Sequence, residues 1–277
     1  MKTISILGCG WLGLPLAKSL LSKGYEVKGS TTSKSKLEAL KNAGILPFQI
    51  QLGTDEVSGK IENFLNETDV LIITIPPGLR KVNSTSEEMS FVNKVKTLIP
   101  FIEKSGIQKV LFVSSTSVYG DSFPIVEITK ETTPNPDTES GKQLAIAETL
   151  LQSNPHFKTT VIRFGGLIGE DRNPLYQLRH KTIPNPDAPI NLIHQLDCIG
   201  IIETIIDKRL RQDQSNKWNE TYNASGINSV TKRVYYTDKA QELGFQNPVF
   251  EEGISIGKQI LSAKTEHELN YTFKVTK

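Results

Sequence analysis

Through residues 1–165, short runs of β-branched and aliphatic side chains alternate with longer stretches in which apolar residues recur every three or four positions. The runs Thr3–Leu7, Glu26–Ser30, Leu46–Gln51, Val70–Ile75, Lys109–Val113 and Thr159–Arg163 predict strands. Between them, Leu14–Lys23, Ser33–Ala43, Ser86–Lys104 and Ser140–Ser153 predict helices, with Ser33 as an N-cap and Gly24, Gly44 and Gly106 at helix ends. Strands separated by crossover helices predict an α/β fold built on a doubly wound parallel sheet. Beyond Arg163 the regularity fades. Pro174, Pro184, Pro186 and Pro189 break residues 170–190 into loops, read as a lid, before a strand near Glu220–Ala224 and a helix over Thr231–Leu243. The expected organisation is a sheet domain over 1–168 and a smaller portion over 169–277 that returns one or more elements to the sheet.

Composition narrows the partners. With 32 Lys+Arg against 30 Asp+Glu, and no basic block longer than Lys208–Arg211, nucleic acid is not expected as a partner. The longest apolar run, Val70–Ile75, is far below the roughly 20 residues of a membrane span. The start of the chain is broken by Gly8 too early for a signal peptide, so neither membrane insertion nor export is expected. Cys9 and Cys198 read as reduced thiols of a cytoplasmic protein, and no His or Cys spacing suggests a metal site.

Gly8-Cys9-Gly10-Trp11-Leu12-Gly13 fits G-x-G-x-x-G, follows a predicted strand and opens a predicted helix. In that context Gly8 permits the tight turn, Gly10 lets backbone approach a pyrophosphate, and Gly13 lets the helix close on the sheet. Trp11 and Leu12 complete a helix N-terminus that offers N–H donors to phosphate. Where NAD-preferring sites place an acid about 20 residues on, this chain has Ser30, Thr31, Thr32, Ser33 and Lys34. Hydroxyls and a cation there suit a 2′-phosphate, which predicts NADP in preference to NAD. A solvated loop with a helix cap is the alternative reading of Ser30–Lys34. Thr74, Ile75 and Pro76, after the fourth strand, are expected to wall the same cleft.

With Val113-Ser114-Ser115-Thr116-Ser117-Val118-Tyr119-Gly120-Asp121 added, the chain resembles the extended short-chain dehydrogenase/reductases, a family of nucleotide-sugar epimerases and dehydratases with a Rossmann-type fold. The resemblance continues in Arg163–Gly169, Asn191–Asp197 and Tyr222–Ala224. It implies that Ser115 polarises the substrate, that Ser114 lies at the cofactor, that the substrate is a small sugar-type molecule, and that a homodimer is one available assembly. The family's Tyr-x-x-x-Lys pair would fall on Ser140 and Leu144, so both halves are missing, as in the family's atypical branch. A serine hydroxyl is a far weaker acid than a phenol, and leucine carries no charge to activate it. Lys142 stands about 200° around the helix from Ser140 and does not replace the pair.

Tyr119 is the phenol that remains at a strand end, readable as an acid/base or as a structural residue. His194, with Asp197 three positions on, reads as a packing and hydrogen-bonding residue beside the site. Arg172 and Arg179 flank the proline-rich segment as phosphate clamps or solvated cations. Two functions stay open: an NAD(P)-dependent oxidoreductase or epimerase-like enzyme acting on a sugar or nucleotide sugar, and a non-catalytic NADP-binding sensor that closes the 170–190 loops on a ligand.

Overall fold

The computed structural model describes residues 2–78, 89–211 and 218–276. The chain divides into two compact units, each discontinuous in sequence. One comprises Met1–Ser114, Glu139–Ile162 and Ile205–Thr221; the other comprises Ser115–Thr138, Arg163–Thr204 and Tyr222–Lys277.

In chain order the first elements are β1 (Thr3–Leu7), α1 (Gly13–Ser22), β2 (Glu26–Thr31), α2 (Leu37–Asn42), β3 (Leu46–Leu52) and β4 (Val57–Gly59). There follow α3 (Ile61–Leu65), β5 (Val70–Ile73), α4 (Ser90–Ser105), β6 (Lys109–Ser115), β7 (Val126–Ile128) and α5 (Glu139–Gln152). After β8 (Lys158–Phe164) and β9 (Gly166–Ile168) come α6 (Leu175–Leu178), β10 (Leu192–His194) and α7 (Gln195–Ile206). The chain ends with β11 (Thr221–Ala224), α8 (Lys232–Glu242), β12 (Lys258–Ile260) and α9 (Ala263–Leu269).

Eight strands form the main sheet in the order β11-β8-β6-β5-β1-β2-β3-β4. The ladders β3–β2–β1–β5–β6 are parallel and β4 is antiparallel to β3. Strand order therefore reverses on leaving β1, with β2 on one side and β5 on the other. That gap between neighbouring strand ends is where open α/β sheets bind ligands. β1 and β5 are buried along their whole length, as expected of central parallel strands covered on both faces. Leu16, Ala17 and Leu20 give α1 its buried stripe, and Leu144, Ala147 and Leu151 do the same for α5. Gln143, wholly buried, accepts the Phe91 N–H at the start of α4, a donor that a helix cannot satisfy internally.

The second unit is built from two small parallel pairs, β9 with β10 and β7 with β12, around an apolar cluster that includes Leu175, Ile183, Ile190, Tyr235 and Tyr236. Buried Asp197 ties down the end of the chain. It accepts hydrogen bonds from the Tyr271 hydroxyl and from the Lys274 and Val275 N–H groups.

The six expected sheet strands and the strand before Ala224 are present, Thr3–Leu7 with the bounds expected and the others with ends shifted by no more than two residues. The helix expected over Ser33–Ala43 is instead a 3-10 turn, Lys34–Lys36, followed by α2, because the Ser33 hydroxyl bonds that of Ser35 and does not cap the backbone. Residues 86–88 of the helix expected over Ser86–Lys104 lie outside the described residues. Within 170–190 a four-residue helix, α6, interrupts the expected loops.

Candidate functional site

The glycine turn sits at the carboxyl end of β1, beside the end of β5. Gly8 has φ +108°, a conformation open to glycine, and a Cβ there would come 2.9 Å from Ile75 Cγ2. A Cβ on Gly13 would stand 2.2 Å from the Gly8 carbonyl oxygen, so helix and turn touch backbone to backbone. Over Gly10, by contrast, a Cβ would meet nothing within 4 Å. The turn is tight underneath and open above.

Two hydroxyls from distant strands brace it. Ser30, at the end of β2, accepts the Gly8 N–H at 2.9 Å, and its carbonyl accepts the Cys9 N–H. Thr74, following β5, donates to the Gly8 carbonyl at 2.7 Å. The donor set, the open space over Gly10 and the helix start at Gly13 fit a dinucleotide pyrophosphate. Trp11 is half-buried and Leu12 buried.

The residues expected to read the ribose separate into two groups. Ser30 and Thr31 are buried, the former in the turn and the latter accepting the Ser33 N–H. Thr32 and Lys34 are exposed, Ser33 is half-buried, and the 3-10 turn adds Lys36 as a second exposed cation that sequence reasoning passed over. Ile75 is half-buried and Pro76 exposed. The Ser114 hydroxyl donates its hydrogen bond to the buried Glu148 carboxylate of α5, which leaves the serine oxygen as an acceptor.

The second unit contains an open cavity of about 290 Å³. Ser115, Thr116 and Ser117 line it together with Asn191, Lys232 and Lys258; Asp121 and Tyr236 complete its polar wall. Ser115 Oγ accepts the Ser117 N–H at 3.2 Å as the cap of the 3-10 turn over Thr116–Val118. Asn191 is occupied on both sides of its amide, donating to the Lys258 carbonyl and accepting the Ile260 N–H, which seats β12 at the cavity edge. Lys258 pairs with Asp121 at 2.8 Å. Burial pulls Lys232 below the ordinary lysine range, against the upward pull of Asp121, and Lys258 pushes it in the same direction as burial. Lys232 and Lys258 had no motif to announce them, because more than a hundred residues of chain separate them from Ser115.

Tyr119 lies elsewhere. It has no exposed surface, its hydroxyl accepts from the Arg163 guanidinium, and it donates to Asn223 Oδ1 at 3.1 Å. The Arg163 guanidinium carbon also sits 5.1 Å from the ring centroid. This corrects the expectation of an acid/base at Tyr119: the phenol is spent on an internal network and does not line the cavity. Ser140 is half-buried and Leu144 is 3% exposed, so the family's lysine position is filled by a core side chain. His194 accepts the Leu196 N–H at the start of α7, which is local bracing. Arg179 is exposed, with its guanidinium carbon 5.5 Å from the Phe245 ring centroid.

A family model described as NAD(P)H-binding matches residues 8–191, from the glycine turn through the Ser115 segment to Asn191. The chain belongs to this NAD(P)H-binding family and has a Rossmann-type fold. Protein YeeZ of Escherichia coli is 33% identical over 260 residues, which cover 93% of this chain and 90% of YeeZ. Among solved structures, a UDP-glucose 4-epimerase of Thermotoga maritima with UDP-glucose superposes with a TM-score of 0.76 at 16% identity, covering 99% of this chain and 94% of that one. A dTDP-glucose 4,6-dehydratase of Bacillus anthracis in complex with NAD gives 0.74 at 17% identity, covering 100% and 93%. At such identities the likeness shows the fold. Among the described residues no helix is long and apolar enough to cross a membrane.

Proposed function

We propose that the protein is an NADP-preferring oxidoreductase or epimerase-like enzyme acting on a sugar-type substrate, free or nucleotide-linked. The observation that carries this reading is the glycine turn at the strand-order reversal, braced from below by Ser30 and Thr74 and open above Gly10. Backbone N–H groups at Leu12 and Gly13, where α1 begins, would hold the pyrophosphate, and Gly10 would let it approach. Thr32, Ser33 and Lys34 would take the 2′-phosphate, with Lys36 adding charge. The bound dinucleotide supplies or accepts a hydride. Ser115 positions the reacting group: the Ser117 N–H occupies an Oγ lone pair, which leaves the Ser115 O–H to donate to a substrate carbonyl or hydroxyl oxygen.

The buried Leu144 and the internal Tyr119 favour a second reading, a dinucleotide-binding sensor without turnover. Stoichiometric NADPH binding with no change at the nicotinamide absorbance band, across a panel of sugars and carbonyl compounds, selects the sensor; a substrate-dependent change selects the enzyme. The premise common to both is tested by thermal melts with NADPH, NADH and neither. Ligand at 100 times its Kd adds about 2.7 kcal/mol, a readily visible rise in Tm. If neither dinucleotide raises Tm, both readings fail, and an NADH shift equal to or larger than that of NADPH removes the NADP preference.

A further inference from the structure

We propose that the cavity beside Ser115 binds its substrate through an oxyanion group held by Lys232, so that the protein acts on acidic molecules of the sugar-acid or sugar-phosphate class. The inference rests on the preceding reading for the type of reaction and deepens it by naming the substrate's charge.

Lys232 and Lys258 both line the cavity, and Asp121 is the carboxylate that lines it with them. Asp121 is taken by Lys258 at 2.8 Å, in an ion pair whose lysine side chain is only 14% exposed. Lys232 makes no ion pair of its own among the described residues. The cavity wall thus carries one more lysine than carboxylate, and burial disfavours the charge of half-buried Lys232 more than Asp121 supports it, a cost that a bound anion would offset.

The backbone of Lys232 is anchored beside the cavity. Thr231 caps α8 by accepting the Val234 N–H, and the Lys232 N–H bonds the Ala188 carbonyl, so Lys232 is the first residue of an anchored helix. Besides Asp121 and Lys258, residues with neutral hydroxyls line the cavity. Tyr236, lifted to about 12 mainly by burial, stays a protonated phenol at neutral pH, and Ser115, Thr116 and Ser117 line the same cavity. An ammonium with several hydroxyls suits a carboxylate or phosphate oxygen. A volume of about 290 Å³ is at the lower end for small-molecule sites, enough for a compact acidic sugar.

The test is titration calorimetry of the full chain with glucuronate, glucose 6-phosphate and uncharged glucose, using the wild type, Lys232→Met, Lys232→Arg and Asp121→Asn. At least one acidic sugar is expected to bind about tenfold or more tighter than glucose, and Lys232→Met should lose that margin, about 1.4 kcal/mol. Lys232→Arg keeps the charge and should keep the preference. Asp121→Asn releases Lys258 and should tighten the acidic ligand relative to glucose. Preference for glucuronate alone assigns a carboxylate, preference for the phosphate alone assigns a phosphate, and preference for both assigns the common oxyanion; each supports the site. No preference in the wild type, an unchanged preference in Lys232→Met, or weaker acidic binding in Asp121→Asn overturns it. Should Lys232→Met fail to fold, the Arg and Asn variants still decide. An NADPH shift in Tm without acidic preference sinks only the anion site, whereas acidic preference without that shift sinks the dinucleotide reading and leaves the anion site standing.

Discussion

Cys9 shows how one position can be chemically quiet inside a busy motif. It occupies the first variable place of the glycine turn, yet its side chain turns inward and is 5% exposed. A Cβ on Gly29 would come 2.6 Å from its sulfur, so glycine in the middle of β2 makes room for the thiol. Burial pushes the Cys9 thiol up to about 12, only partly opposed by the backbone hydrogen bond at Ser30, and Cys198 is raised by burial as well. Since the folded pKa lies above the unfolded value of about 8.5, folding favours the protonated thiol. The stability this gives is complete below about pH 8.5 and declines as the pH climbs toward the folded value. At pH 9 a small alkylating reagent is expected to modify both thiols of the native protein only as fast as the protein opens, and rapid modification without unfolding would contradict the burial. The sequence led to reduced thiols, and both are free and buried. Their inertness depends on neighbours such as Gly29 that no motif registers.

At the scale of elements, the junction between β1 and α1 gives two glycines opposite duties. Gly13→Ala would drive a Cβ to 2.2 Å from the Gly8 carbonyl oxygen, a clash with rigid backbone that costs about 1–3 kcal/mol or more. Gly10→Ala places its methyl in open space, where a pyrophosphate would lie. Melts with and without NADPH are expected to show a lowered Tm for Gly13→Ala, and for Gly10→Ala a nearly unchanged Tm with a reduced NADPH shift. The reverse pattern would reassign both residues. The turn itself was legible, because glycine spacing, strand and helix start all lie within about a dozen residues. Its supports were not: Ser30 is 22 positions from Gly8 and Thr74 is 66 positions away. Ser30 was expected to face the ribose and instead holds the turn, a switch of role that depends on which way the end of β2 points. β4 and α3, three and five residues long, left no periodicity to read.

Across the whole molecule, contacts between remote segments decide what sequence patterns leave open. Asp197 reaches partners 74 to 78 positions further on and fastens the chain end within the second unit. Removing a buried charged acceptor that serves three donors costs about 1.5–3 kcal/mol or more. Asp197→Ala is therefore expected to lower Tm and to speed hydrogen exchange at the Lys274 and Val275 amides; unchanged exchange there would contradict the anchor. Three residues after His194, this aspartate read as part of a site-like stretch, but its partners make it structural. By itself the sequence determined the alternation of strands and helices, the doubly wound sheet and the glycine turn, since each is written in propensities and spacings within a few turns of chain. Only the tertiary structure decided that Tyr119 is internal and that Lys232, Lys258 and Asp121 share a cavity with Ser115. Burial and charge pairing act through space, between residues that chain spacing does not connect.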